Sequence, residues 1–331
     1  MTTVSQADID RAVALLQAGA LIGIPTENVY GLAADAANPE AVAKIFAAKG
    51  RPANHPLIVH LADASYLEDW AMDIPGEAWE LAEAFWPGPL TLILKKTPRV
   101  PDAVTGGQDT VGIRIPAHPV TQALLRAFAA AGGSGGVAAP SANRFGRISP
   151  TEAAHVISEL GDRVAMVLDG GACRVGIEST IIDLSRGEPH LLRPGHITPE
   201  QIAAVIGVLP QRPDAASPRA SGTLPGHYAP RTALRILAPE RLLDYLNVVR
   251  HRGGRCAVLA HSHPPQAGMP HFWRMLPITP EGYARDLYGA LRAADESGAE
   301  EIVVEAIPTG PDWTAVADRL RRAAFGAGQG R

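Results

Sequence analysis

The stretch AKGRPANHPLIVH, Ala48 to His60, carries the chain out of a helix and into a strand. Upstream, NPEAVAKIFAAK has the punctuation of a helix: Asn38 as N-cap, Pro39 at the first helical position and Gly50 just past the end. Downstream, PLIVHL is a β-rich apolar run. The helix passes into one of many strands, and because strands outnumber long helices the chain is expected to form an α/β or α+β domain. The same stretch places Lys49, Arg51, His55 and His60 around Leu57-Ile58-Val59. A cation in the last turn suits the negative end of the helix dipole, which accounts for Lys49 and for none of the other three. In the strand, Ile58 and His60 share one face while Leu57 and Val59 share the other. A lone histidine in that place is more often a satisfied core residue than a ligand.

Outward from this stretch, LIGIPT, TLILKK, VGIRIP, GVAAPSA, MVLDG and STIIDLS read as further strands. Helices are predicted at the N-terminus from Ser5 and over 77–85, 119–131, 150–160 and 198–206. This is a large twisted, mixed sheet with helices, over residues 1–206. Residues 207–231 change texture: GVLPQRPDAASPRASGTLPGHYAPR is rich in Pro, Ser, Gly and Ala and reads as a semi-rigid linker. Residues 232–331 alternate strand and helix, with a loop between RCAVLAH and TPEGYARDLYGALRAADESG, and predict a small Rossmann-like, doubly wound α/β domain.

A length of 331 residues suits two domains, and 46% hydrophobic residues against 19% charged suits buried cores. The net charge of −4 argues against nucleic-acid binding as the main role, so any tRNA contact is expected to be transient. Two isolated cysteines, Cys173 and Cys256, match no metal or disulfide framework and suit a reducing cytoplasm. MTTVSQADIDRAVALL has no basic n-region, so no signal peptide is expected, and no apolar run approaches the roughly 20 residues that span a bilayer. No membrane association is therefore expected.

Several motifs fail. GGSGG, Gly132 to Gly136, matches the nucleophile elbow in letters, but a helix precedes it and a strand follows, the reverse of what the elbow needs. There is no P-loop, no strand-turn-helix G-x-G-x-x-G and no H-E-x-x-H. Four clusters hold. PTENVYGLAADA sets Thr26, Glu27 and Asn28 where a strand ends. The opening stretch supplies the cations. VGIRIP buries Arg114 inside an apolar strand, which requires an anionic ligand or a structural carboxylate. APSANRFGRISP offers Ser141, Asn143 and Ser149 beside Arg144 and Arg147, groups suited to phosphate and ribose. GIESTIIDL and LLRPGHI add Ser179, Thr180 and Arg193.

Taken together and in order, PTE-VYGL-AD, KGRP---PLIVH, VGIRIP, PSAN--G--SPT, GIESTIID, LRPG and GTLPGHYAPRT resemble the threonylcarbamoyl-AMP synthase family in its long form. The resemblance covers roughly residues 8 to 325. It implies a YrdC-type catalytic domain and a nucleotidyltransferase that joins L-threonine, bicarbonate and ATP into L-threonylcarbamoyladenylate, releasing pyrophosphate. The product would pass to a threonylcarbamoyl transferase complex that modifies tRNA. Mg2+ would arrive with ATP, with no metal site from the protein alone. By matching position, Lys49 and Arg51 would be catalytic. ATP would be held by Lys49, Arg51, His55, Thr110, Ser141, Asn143, Ser149, Arg193 and Tyr228. L-threonine would be held by Thr26, Asn28, His60, Arg114, the Ala139 backbone and Ser179. The linker would run over the active-site mouth and bring His227 or Tyr228 near ATP. Two positions depart from the family's common pattern: Asn28 stands for a second threonine and His55 for an asparagine.

Two rival readings follow from the same fold. One is an RNA-binding or ribosome-maturation module, against which the net charge speaks. The other is a carbamoyltransferase of the hydrogenase-maturation type, whose cysteine-rich segment the two isolated cysteines do not supply.

Overall fold

A computed structural model describes residues 4–266 and 272–329. The chain divides into two compact units, the first made of residues up to 145 and from 150 to 223, the second of 146–149 and 224 onward. Of the segment 207–231, residues up to Thr223 thus pack with the first unit, and those from Leu224 with the second.

In the first unit the described residues form ten strands: β1 (Ile22–Ile24), β2 (Gly31–Asp35), β3 (Ile58–Leu61), β4 (Ala71–Met72), β5 (Leu90–Lys96), β6 (Thr110–Arg114), β7 (Gly136–Ala138), β8 (Met166–Val167), β9 (Thr180–Asp183) and β10 (His190–Arg193). They build one sheet in the order β10-β9-β5-β6-β3-β7-β2-β1-β8, with β4 beside β5. β3/β6, β5/β9 and β1/β8 are parallel; the remaining pairs are antiparallel, as expected of a mixed sheet.

The helix Pro39–Lys49 forms as its caps dictate. The Asn38 side chain accepts from the amides of Glu40 at 3.0 Å and Ala41 at 3.1 Å, and Gly50 ends it with φ 64°. Its Val42, Ile45 and Phe46 join Val59, Leu92 and Ile113 in the main core, one face of the central strands. Alternation then sends Ile58, Ile93 and Ile181 to the opposite face. A second core, with Ile9, Leu16, Ile22, Leu124 and Phe128, seats the helices Gln6–Gln17 and Pro119–Ala130.

Three elements differ from the expectation. Residues 31–35 form strand β2, closing a hairpin with β1; GLAAD is too short and too small in side chains to announce a strand. The helix expected over 150–160 begins at Ala153, with Glu152 as its N-cap residue. The stretch read as a loop before residue 277 contains a strand, Phe272–Met275; its outer residues are half-exposed or exposed, so its apolar pattern is weak.

In the second unit the described residues form a four-stranded parallel sheet of β11 (Ala233–Leu237), β12 (Cys256–Ala260), β13 (Phe272–Met275) and β14 (Glu301–Glu305), ordered β11-β14-β12-β13. Leu242 and Leu246 of the helix Pro239–His251 pack on Val258, Ala260 and Val303. This is the small Rossmann-like α/β body that the alternation of elements predicted.

Candidate active site

Register places His60, Arg114 and Thr91 on one face of the sheet. β3 and β6 run parallel with Ile58 opposite Gly112 and His60 opposite Arg114. β5 adds Ile93 opposite Gly112, and Thr91 lies opposite Ile181 of β9. Even-numbered β3 and β6 residues and odd-numbered β5 residues therefore share the face away from the main core. Gly112 keeps it flat: a Cβ there would come within 3.1 Å of Ile93 and 3.4 Å of Ile58. The apolar part, Ile58, Ile93, Ile181 and Leu192, is covered by Ala220.

At one end of this face, Arg114 is buried and its Nη2 is ion-paired with the Glu27 carboxylate. Its Nε donates to the Gly88 carbonyl at 3.1 Å, and the other Glu27 oxygen accepts from the Ala117 amide at 3.0 Å. In the sequence Glu27 is only part of a polar turn; the need of a mid-strand arginine for an anion or a carboxylate names no residue, and the fold supplies Glu27. His60, 3% exposed, is held neutral by burial and then by the Arg114 charge, its pKa pushed down to about 3, and its Nδ1 makes no hydrogen bond.

The Thr26–Asn28 turn leads from β1 toward β2. Thr26 Oγ1 accepts from the amides of Asn28 at 3.1 Å and Val29 at 3.2 Å and donates to the Val29 carbonyl at 2.7 Å, so its hydroxyl shapes the turn. Asn28 is fully buried. Its Nδ2 donates to the Ile177 carbonyl at 2.6 Å, which fixes the amide's orientation and leaves Oδ1 without a partner. Cys173 also lies in this neighbourhood, its thiol pushed up to about 12, chiefly by burial and then by Glu27.

The cations form a second group. Lys49 is buried, and its Nζ donates to the carbonyls of Ser141 at 2.5 Å and Asn143 at 2.6 Å. Those carbonyls favour the ammonium form; burial first and the Arg51 charge second oppose it and hold the pKa well below the lysine range. Arg51 Nη2 donates to the Pro56 carbonyl at 2.8 Å and to Ser221 Oγ at 3.4 Å. Arg193 Nη1 donates to the Ser221 carbonyl at 2.8 Å, while its Nε and Nη2 reach the Ser179 carbonyl and Oγ, both at 3.0 Å. Ser179 Oγ in turn lies 2.8 Å from Thr91 Oγ1. Arg51, Ser221, Arg193, Ser179 and Thr91 are thus one hydrogen-bonded chain. The packing of Ala220 and Ser221 is not legible in the sequence, since the composition of a Pro/Ser/Ala-rich stretch does not say where it packs.

The remaining candidates are placed as follows. His55 stacks edge-on against Phe145, ring centroids 5.4 Å apart, and burial, then Arg51 and Arg219, lower its pKa. Ala139 donates its amide to Ile58 at 3.1 Å. Asn143 is buried, its Nδ2 on the Arg144 carbonyl at 2.7 Å. Thr110 opens β6 opposite Lys95 and lines a groove of about 490 Å3 with Lys96 and Arg186. Ser149 and Tyr228 belong to the second unit. There Tyr228 is buried, with φ 61°, beside His227 and Tyr288 and under the Arg319 guanidinium. Among the described residues no group of three or more His, Cys, Asp or Glu is arranged to hold a metal ion, and no helix is long and apolar enough to cross a membrane.

Two family models match the chain. One, for the Sua5/YciO/YrdC group and described as telomere recombination, covers residues 14–195; the other, described as threonylcarbamoyl-AMP synthase, C-terminal domain, covers 197–325. A Bacillus subtilis protein named threonylcarbamoyl-AMP synthase is 41% identical over 96% of this chain and 93% of its own length. A crystal structure of Pyrococcus abyssi Sua5 complexed with L-threonine has a TM-score of 0.89 and 37% identity, covering 98% of this chain and 96% of that one. A shorter Mycobacterium tuberculosis protein, named as a putative threonylcarbamoyl-AMP synthase, is 40% identical over 62% of this chain and 90% of its own length. With both domains matched in order and a relative of this identity spanning nearly the whole length, the chain belongs to the threonylcarbamoyl-AMP synthase family.

Proposed function

We propose that this chain condenses L-threonine, bicarbonate and ATP into L-threonylcarbamoyladenylate and pyrophosphate, in the cytoplasm. A threonylcarbamoyl transferase complex would take the product on to tRNA. The observation that carries the reading is the pairing, within one unit, of a neutral His60 and a carboxylate-held Arg114 with the buried cations Lys49, Arg51 and Arg193. The first group suits a small amino acid and the second a polyphosphate. The Pyrococcus abyssi relative described with L-threonine bound supports the choice of amino acid.

The threonine amine and bicarbonate give a carbamate and water. A carbamate oxygen forms a bond to the α-phosphorus, the bond from that phosphorus to the bridging oxygen breaks, and pyrophosphate leaves with the electron pair. No covalent enzyme intermediate is needed, and a Cys173 thiol with its pKa near 12 is no nucleophile at neutral pH. Arg114 takes the threonine carboxylate, with Glu27 holding the guanidinium in place. Asn28 Oδ1, its amide nitrogen committed, acts as an acceptor for a substrate donor. His60, uncharged at working pH, orients and does not compete for the carboxylate. Lys49 and Arg51 neutralise charge on the phosphates and the leaving group; an anion beside buried Lys49 offsets the burial that lowers its pKa. Within the first unit, Ser141, Asn143, Thr110, His55 and Arg193 complete the nucleotide contacts. The buried cations suit the phosphates rather than a metal, so Mg2+ is carried by ATP, where it supplies further charge neutralisation. Residues 219–223 act as a lid that limits hydrolysis of the adenylate, with Ala220 on the apolar part of the sheet face and Ser221 held by Arg51 and Arg193.

The test is mass spectrometry of the purified protein with ATP, L-threonine and bicarbonate. Threonylcarbamoyl-AMP should appear together with pyrophosphate, and both should vanish when threonine or bicarbonate is omitted. Absence of product with all three present defeats the reading. An RNA-binding role would instead show a gel shift that survives physiological salt.

A further inference from the structure

The loop from Ser141 to Pro150 is fastened in two different ways. Its base belongs to the first unit: the Ala142 amide donates to the Tyr30 carbonyl at 2.8 Å, and the Tyr30 amide donates to the Pro150 carbonyl, also at 2.8 Å. Lys49 holds the first half through the Ser141 and Asn143 carbonyls, and the Phe145 amide donates to the Lys49 carbonyl at 2.9 Å. The apex, residues 146–149, packs as part of the second unit. There the Gly146 carbonyl accepts from the Ala229 amide at 2.9 Å, and Arg147 pairs in parallel with Ala229. Two residues of the helix Pro280–Glu296 reach the apex. Asp295 accepts from Arg147 Nη2 at 3.3 Å while also taking the amides of Arg231 at 3.0 Å and Thr232 at 2.7 Å. Arg292, itself buried, donates from Nη2 to the Ile148 carbonyl at 2.5 Å.

We infer that Arg292 and Asp295, with Arg147 as their partner on the loop, are positioning residues that hold the Ser141–Ser149 loop in a nucleotide-ready conformation. The inference rests on the reading above, in which this loop meets ATP. Nothing in the chemistry requires a guanidinium from a distant helix to cap a loop carbonyl. A loop of this length left to itself would be ordered only on binding, and that ordering would subtract from affinity. Holding the apex in advance removes that cost, so the second unit contributes to ATP affinity without touching the nucleotide through these residues.

The experiment compares full-length wild type with Arg292→Leu, Arg292→Lys and Arg147→Ala. ATP dissociation constants are measured with magnesium, threonine KM is measured in the pyrophosphate assay, and backbone hydrogen exchange is measured over 142–149 without nucleotide. Arg292→Leu should weaken ATP about tenfold, the factor expected from one lost charge-assisted hydrogen bond, with threonine KM unchanged. Arg292→Lys, still a donor, should retain most of the affinity. Exchange should quicken at 145–149 in Arg292→Leu and Arg147→Ala and stay unchanged in residues 4–144 of the first unit. Wild-type ATP affinity in a folded Arg292→Leu overturns the inference. If Arg292→Leu does not fold, Arg147→Ala decides: unchanged ATP affinity there overturns it equally. The exchange measurement stands apart from the reaction. Unchanged protection at 145–149 in Arg147→Ala or a folded Arg292→Leu defeats the hold even in an active enzyme, whereas a wild type that binds no ATP defeats the proposed function.

Discussion

Lys49 and His60 are both almost fully buried, and burial lowers the pKa of each. Lys49 spends two donors on carbonyls of the loop, so its removal frees Ser141 and Asn143 as well as a charge. Lys49→Ala and Arg51→Ala are each expected to reduce threonine-dependent pyrophosphate release at least about a hundredfold, far beyond the ~1 kcal/mol of an exposed ion pair. Turnover near wild type in both would demote them to scaffolding. His60 makes a prediction about stability. Its pKa is depressed in the fold to about 3, so the unfolded chain binds the proton more readily. Its stabilising contribution is therefore complete above about pH 6.5 and is lost as pH falls from there toward 3. Between pH 6.5 and 5 the loss attributable to this group is about 2 kcal/mol. Denaturant melts at the two pH values should show that fall in wild type and lack it in His60→Gln; equal pH dependence in both would refute the assignment.

At the scale of elements, the sheet face is made by register, and register depends on close packing behind it. A Cβ at Gly136 of β7 would lie 2.4 Å from the Trp70 ring and 2.8 Å from Val59, both fully buried. Gly136→Ala is expected to cost about 1–3 kcal/mol through overpacking, read as a lowered denaturant midpoint at constant m-value. An unchanged midpoint would mean that β7 and Trp70 can part without cost. The helix Pro39–Lys49 could be read from its caps because Asn38, Pro39 and Gly50 act locally. β2 could not, because GLAAD becomes a strand only through its pairing with β1 and β7. Phe272–Met275 is the same case: its partner β12 makes it a strand.

For the whole molecule, the proposed lid rests on residues 219–223, which pack with the first unit. Removing residues 220–331 takes away Ala220 from the apolar face and Ser221 from both Arg51 and Arg193. The truncated chain should lose more adenylate to hydrolysis per product released, or bind ATP more weakly, measured as the ratio of AMP to threonylcarbamoyl-AMP and as ATP affinity. Unchanged values for both would count against a lid.

Local chemistry was legible in the residues alone: the capped helix, the apolar strands, the linker's composition, the cations around PLIVHL and the need of Arg114 for an anion or a carboxylate. Each of these follows from residues a few positions apart, or from the cost of burying one charge. Only the tertiary structure decided that the carboxylate is Glu27, that Lys49 faces the Ser141 and Asn143 carbonyls, that Ser221 lies between two arginines, and that residues 146–149 pack with the second unit. Those pairings join groups far apart in the chain. They are set by strand register and by the requirement that buried polar groups find partners, and neither is written in a local pattern.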